Sequence, residues 1–476
     1  MSWLSGIRDR ALATARGLIL ADPGDVPFGL TPDEKHLIRY PKGHSITYAA
    51  AGGGKSTSRV CPMLLAMLYN HCACVIVNDP KDGEICAQTF LLAAMLGRKV
   101  IIIDPAGVIP HTEYHLNINP FSSILTAKRE MLALAIENVA FVLVPEPPGD
   151  EKNKYFRDII RTPIEFVLRA LYERNPTLVK PGHLYAAVSN PDMLTDMLEI
   201  EAEEGEQPLK ARAQTLIEFK EKNPEHAFQG LAGATDALKL FETGSFLHDA
   251  GQGCDVTCAD LIRERAVIYV VGPQTYMQRM AAYSGLLFEG FTSALMTLDA
   301  PIRTSFLLDE ATNANLQQLN ERITTIRAYG GEYHYVVQSR SEMERKFGKL
   351  ATQTIEENCI TKSYLGFSSA EFAKSVSDAM GEELARQSGI NAQSNQNSYG
   401  ENVNLSRQKL MTPNQLMGLP KSHFVFGVKD VGWGVARKLY QNQFAEISAE
   451  LADNPLEGAA FKPDPKVRFQ TKPLKG

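Results

Sequence analysis

Lys55 and Ser56 follow three consecutive glycines, Gly52, Gly53 and Gly54, and Thr57 completes the run. Consecutive glycines let a backbone wrap closely around phosphate oxygens with its N–H groups turned inward, and a helix starting there adds the positive end of its dipole. In such a turn Lys55 reaches the β and γ phosphates of ATP and the Ser56 hydroxyl reaches Mg²⁺. The candidate nucleotide-binding residues are therefore Gly52, Gly53, Gly54, Lys55, Ser56 and Thr57, and a plain glycine-rich turn is the competing reading. The pattern departs from GxxxxGK[ST] at its first glycine, where this chain has Ala49. Alanine fits that place only if its φ is negative.

A second group lies far downstream. Phe306-Leu307-Leu308-Asp309-Glu310 is an apolar run that ends in two adjacent carboxylates. That arrangement delivers Asp309 to the Mg²⁺ shell and Glu310 to a water in line with the γ phosphate. Gln338 ends another apolar run, and a parallel sheet would bring its amide to the same edge as a sensor of the γ phosphate, with a strand cap as the alternative. The catalytic candidates are Glu310, Asp309, Lys55 and Gln338; the metal-facing ones are Ser56 and Asp309. Asp79 and Asp104 each precede proline at a strand end, and Asp79 and Glu84 flank Lys81 closely enough to orient it toward the site. Asp104 reads as a structural turn. Arg322, Arg327 and Arg340 are candidates for an arginine supplied across a subunit boundary, and the sequence does not choose among them.

Positioning these groups requires strands that end at one edge. Apolar runs at 45–50, 73–78, 99–103, 266–271, 304–308, 333–337, 360–366 and 423–428 read as strands, and helical patterns separate most of them. This alternation is the signature of an α/β fold with a parallel-majority sheet. From 124 to 261 helical patterns dominate, so an all-α domain is expected to be inserted into a discontinuous nucleotide-binding domain of residues 40–123 and 262–450. Residues 1–39 form an amino-terminal helical or extended segment whose first 19 residues have an amphipathic pattern. The polar stretch 382–408 reads as a flexible loop, and 451–476 as a Pro-rich, poorly ordered tail.

Composition bounds the partners only loosely. The 476 residues carry 49 basic and 55 acidic side chains, a formal charge of -6. That excludes a uniformly basic surface but leaves room for a channel lined by a few cations. The seven cysteines are odd in number and include no CxxC pair. They read as thiols in a reducing compartment, with Cys254 and Cys258 as core or loop residues in preference to a metal site. The chain has no cleaved-leader pattern and no apolar run long enough to span a bilayer.

The motifs, taken together and in order, resemble those of the coupling proteins of bacterial type IV secretion and conjugation, the TraG and TraD type of RecA-like P-loop ATPase. The resemblance rests on Gly52-Gly53-Gly54-Lys55 with Pro62-Met63-Leu64-Leu65, Asp79-Pro80-Lys81 with Gly83-Glu84, and Asn117-Ile118-Asn119-Pro120. It continues through Leu307-Leu308-Asp309-Glu310, Tyr329-Gly330, Gln338-Ser339, Tyr364-Leu365-Gly366 and Leu410-Met411-Thr412-Pro413, covering about residues 40 to 440.

The resemblance implies a RecA-like fold with an inserted all-helical domain, and a homo-hexamer that uses ATP and Mg²⁺ to bring single-stranded or relaxase-linked DNA to a secretion channel. It implies relaxosome and substrate proteins, and channel ATPases or membrane proteins, as partners. The implied location is the bacterial cytoplasm, including the inner-membrane periphery. A nucleotide-gated adaptor that recruits substrates without translocation, and a soluble DNA translocase, are the alternatives. Two departures stand out: no membrane helix precedes the motor motifs, and Asp82 is inserted into the family's Asp-Pro-Lys-Gly-Glu run.

Overall fold

The structure, a computed structural model, describes residues 26–467 except 33, 35, 36, 40, 51, 70–72, 392–399, 446–450 and 457–459. The amphipathic pattern of the first 19 residues lies outside the described residues.

The strands, in chain order, are β1 (Pro27–Leu30), β2 (Leu37–Arg39), β3 (Ser45–Tyr48), β4 (Cys74–Asp79), β5 (Val100–Ile103), β6 (Val267–Val271), β7 (Thr304–Asp309), β8 (Gly331–Val337), β9 (Thr361–Tyr364), β10 (Glu382–Asn391), β11 (Gly400–Lys409), β12 (His423–Val428) and β13 (Gly432–Arg437). Eleven of them form one sheet in the order β2-β1-β13-β12-β9-β3-β8-β7-β4-β6-β5. From β9 to β5 every neighbour is parallel. From β9 outward to β2 every neighbour is antiparallel.

Central strands must bury both faces, which explains why they read as unbroken apolar runs. In β4, Cys74 and Ile76 join one core while Val75 and Val77 join the other; in β7, Phe306 and Leu308 face one side and Leu307 the opposite one. The helices Cys61–Leu68 and Glu84–Met95 cover one face, and Leu132–Leu143 and Ala281–Thr297 cover the other.

Between β5 and β6 the regular elements are all helices, including the amphipathic Lys154–Arg174. Pro181, Pro191 and Pro224 each open a helix, at the position where the missing N–H is not needed. Among the described residues, no helix is long and apolar enough to cross a membrane.

Three stretches show local structure that their sequence does not announce. Within the stretch 382–408, β10 and β11 pair antiparallel from Glu382 opposite Lys409 to Asn391 opposite Gly400. Such a ladder satisfies its own backbone groups, so the lack of core-forming residues does not prevent it. In the tail, Leu451 is buried and Val467 bridges Phe444. After β7 a helix spans only Gln317–Glu321 and continues as two 3₁₀ turns, where the β-branched run Ile323-Thr324-Thr325-Ile326 disfavours the helix.

Candidate nucleotide site

β3 runs straight into the glycine turn. The Ala49 N–H donates to the Val337 carbonyl at 2.9 Å, anchoring the start of the turn to the last residue of β8. Gly52 and Gly54 adopt φ of 70° and 79°, whereas Ala49 stays out of the left-handed region, so alanine is tolerated at the place of the motif's first glycine. A Cβ on Gly53 would sit 2.7 Å from the Ala50 carbonyl oxygen. The helix then opens with a π turn, Ser56–Val60, and continues as Cys61–Leu68.

Lys55, Asp309, Glu310 and Gln338 meet because β8 lies between β3 and β7 and all three strands end at the same edge. The Lys55 ammonium is buried and pairs with Glu310 Oε1. Gln338 Nε2 donates to both Glu310 carboxylate oxygens, at 3.3 and 3.4 Å. The Ser56 hydroxyl donates to Glu84 Oε1, and Thr57 is half-buried in the same turn.

Glu310 has φ of 48°, a left-handed conformation for a residue with a Cβ. Backbone strain of this kind costs on the order of 1–3 kcal/mol and is held only where surrounding contacts enforce it. Here they are ionic: besides Lys55, Lys81 Nζ lies 2.7 Å from Glu310 Oε1 and 3.6 Å from Asp309 Oδ2.

Sequence reasoning placed Lys81 near the site without giving it a role there. The signal was its position two residues beyond the end of an apolar strand.

The two adjacent acids are driven in opposite directions. Burial, reinforced by the Glu310 charge and opposed by Lys81 and Lys55, pushes Asp309 up to about 6. Burial also works against charge on Glu310, but the Lys55 and Lys81 ammonium groups outweigh it and hold that carboxyl below the usual range. Neighbouring carboxylates with separated proton affinities can divide the work of binding a cation and handling a proton. Both Asp309 carboxylate oxygens are buried without a hydrogen bond, while its main-chain carbonyl accepts from Asn78 Nδ2 at 2.6 Å.

Buried carboxylate oxygens without a hydrogen bond are hard donors of the kind Mg²⁺ takes. Among the described residues no three His, Cys, Asp or Glu side chains cluster as a protein-only metal cage.

The remaining candidates separate clearly. Asp79 Oδ2 accepts from the Ile85 and Cys86 N–H groups at 3.0 and 2.7 Å, capping the helix Glu84–Met95, and burial raises its proton affinity well above the ordinary value. Asp104 Oδ2 accepts from the Ile109 N–H at 2.7 Å and so organises its own turn. The inserted Asp82 fits by adopting φ of 51° and accepting from the Gln274 N–H at 2.9 Å, so Lys81 still reaches the site. Arg322 is paired with the buried Glu289 at 2.7 Å, and Arg340 with Glu356 at 3.1 Å. Arg327 contributes to lowering His44, whose pKa falls to about 4 chiefly through burial. The cysteines Cys61, Cys74, Cys86, Cys258 and Cys359 are buried, as core thiols are.

Comparison with known proteins adds to this geometry. The family described as Type IV secretory system Conjugative DNA transfer matches residues 15–430. The type IV secretion system-coupling protein VirD4 of Bartonella quintana (strain Toulouse) is 21% identical over 403 residues, spanning 79% of this chain. The chain covers 58% of the length of that relative. Among solved structures, the bacterial conjugative coupling protein TrwBdeltaN70, unbound, superposes with a TM-score of 0.69 at 15% identity, over 90% of this chain and 91% of that one. The plasmid coupling protein TrwB in complex with ADP and Mg²⁺ superposes with a TM-score of 0.64 at 15% identity, over 83% and 85% of the two chains.

Proposed function

Because the chain belongs to the Type IV secretory system Conjugative DNA transfer family, we propose that it is an ATP-hydrolysing coupling protein with a RecA-like motor, one that recruits relaxase-linked DNA and drives its transfer. The observation that carries this reading is the convergence of Lys55, Glu310, Asp309 and Gln338 at one sheet edge beside a glycine turn. The solved relative bound to ADP and Mg²⁺ supports the choice of nucleotide and metal.

In this mechanism the glycine turn and Lys55 bind the triphosphate, Lys55 leaving Glu310 to do so. Mg²⁺, when bound, would be held by Ser56 and Asp309 and would neutralise developing charge on the phosphates. Glu310, released from Lys55, accepts the proton of the attacking water, and Lys81 keeps its carboxylate charged and oriented. Gln338 hydrogen-bonds the same carboxylate and so is placed to report its movement along β8. Assembly into a hexamer, with DNA, relaxosome proteins and channel components as partners, belongs to the same proposal.

The test is ATP turnover by purified protein, alone and with DNA, beside the Lys55→Ala and Glu310→Gln variants. Turnover that rises with DNA, vanishes in Lys55→Ala and falls about 10²- to 10⁴-fold in Glu310→Gln is expected. No turnover at saturating Mg²⁺-ATP with DNA and partners present overturns the motor reading.

One observation favours the recruiting adaptor as a second reading. A groove of about 980 Å³ among the inserted helices is lined by Leu194, Leu198, Leu216, Phe219 and the exposed Phe228, a surface suited to an apolar protein segment. Partner binding with an ATPase rate indifferent to DNA would select it.

A further inference from the structure

The turn between β4 and the helix Glu84–Met95 reaches both halves of the nucleotide site. Asp82 and Gly83 are successive left-handed residues, with φ of 51° and 66°. A Cβ on Gly83 would lie 2.6 Å from Ile109 Cδ1, so only glycine lets the chain double back this tightly. With Asp79 capping the helix that follows, Lys81 and Glu84 leave the turn on the side of the site: Lys81 to Glu310 and Asp309, Glu84 to Ser56. The Glu84 side chain is 6% exposed, and the carboxylate that meets the Ser56 hydroxyl comes from a different helix, 28 residues away in sequence.

A serine hydroxyl has one proton and two lone pairs. Giving the proton to Glu84 fixes the rotor and leaves the lone pairs for a cation. A hydroxyl that ligates a metal through a lone pair keeps its proton to donate, so the Ser56–Glu84 hydrogen bond and metal ligation by Ser56 are compatible in one geometry. Groups that accept from metal ligands orient them and raise their basicity.

We propose that Glu84 is a positioning residue for magnesium: it holds the Ser56 hydroxyl with its lone pairs toward the cation site and adds negative potential there. This rests on the ATP and Mg²⁺ reading above and extends it to a carboxylate outside the glycine turn and the Asp309-Glu310 pair. A brace between two helices is the competing role for the same contact, and it makes a different prediction.

The discriminating measurement is binding of a fluorescent ATP analogue titrated with Mg²⁺, on the full chain. In Glu84→Ala the Mg²⁺ concentration at half-effect is expected to rise by about ten- to a hundredfold. Affinity for the metal-free nucleotide should stay within about twofold, because the phosphate turn and Lys55 are untouched. Glu84→Gln keeps an acceptor for Ser56, and therefore the brace, while losing the charge; its half-effect concentration should rise less, by about threefold or more. A melting curve for each variant establishes that it is folded.

An unchanged Mg²⁺ requirement in folded Glu84→Gln and Glu84→Ala, with or without lowered stability, overturns the proposal and leaves the brace. A parent protein that binds no nucleotide at any Mg²⁺ concentration fails earlier. That result removes the ATP reading itself, and this inference with it.

Discussion

Lys438 Nζ donates to the Gly53 carbonyl at 2.8 Å, tying the residue just past β13 to the middle of the glycine turn. The Lys438 backbone is held in turn by the Ser422 carbonyl at 2.8 Å. The antiparallel part of the sheet therefore braces the turn that the parallel part presents. Burial, with the Arg59 and Lys421 charges, brings Lys438 down to about 8.

Replacing Lys438 by Met keeps the aliphatic packing and deletes this brace. A hydrogen bond from a charged donor is worth about 1.5–3 kcal/mol, so nucleotide affinity should fall by roughly tenfold as the turn loosens. Titration of labelled nucleotide checks this, and unchanged affinity would leave the contact without a role in binding.

Lys55→Ala should abolish nucleotide binding while leaving a folded protein. Breaking a buried ion pair usually costs about 3–5 kcal/mol because the partner is stranded. Glu310 is not stranded here, since Lys81 remains 2.7 Å from its carboxylate. The loss of stability should accordingly stay near 1–2 kcal/mol by denaturant titration. A larger loss would mean that Lys81 does not substitute.

Glu310→Gln should bind nucleotide about as well as the parent and hydrolyse it about 10²- to 10⁴-fold more slowly, the range for loss of a general base. Single-turnover hydrolysis measured beside equilibrium binding separates the two effects. Parental turnover in this variant would move the base elsewhere.

Asp309 has its carboxyl pushed up to about 6 from an ordinary 3.8. A raised value means that the protonated acid stabilises the nucleotide-free fold. That contribution is whole below about pH 4 and is lost as pH climbs through about 6. Asp309→Asn is neutral throughout and escapes the loss, so it should melt higher than the parent at pH 7.5, by the equivalent of about 1–3 kcal/mol, with the gap narrowing toward pH 4. The same variant should gain nothing from Mg²⁺ when nucleotide is added. Matching melting temperatures at pH 7.5 would show that the buried acid carries no such penalty.

Arg322→Ala should be a folding defect first. It leaves Glu289, 2% exposed, without its cation, at a cost of about 3–5 kcal/mol. Adding Glu289→Leu should recover most of that loss, because an apolar pair can replace a buried ionic one. Normal stability with lost turnover would instead return Arg322 to the candidates for a trans-acting arginine.

Much of the site was legible from residue type and place. Asp309, Glu310 and Gln338 lie at the carboxyl ends of apolar runs long enough to be buried on both faces, Lys55 follows such a run across the glycine turn, and parallel pairing brings these ends to one edge. The order of strands was not legible, because nothing local says that β8 inserts between β3 and β7.

The antiparallel margin was hidden for a different reason. β1 and β2 have four and three residues, too few for a period to register, and β13 carries Gly432 and Gly434, which depress strand propensity. The contacts of Ser56 with Glu84 and of Lys438 with Gly53 join residues whose types are ordinary at a surface, and only the folded geometry pairs them.

The neighbours of β3 in the sheet begin at Gly331 and Thr361, and none of the strands β4 to β7 touches it. As the chain leaves the ribosome, this strand must wait for most of the molecule to follow, while the helices between β5 and β6 can condense on near neighbours. A nascent chain halted before Gly331 would carry the whole glycine sequence but lack both sheet neighbours of β3, so competence to grip a phosphate arrives late in synthesis.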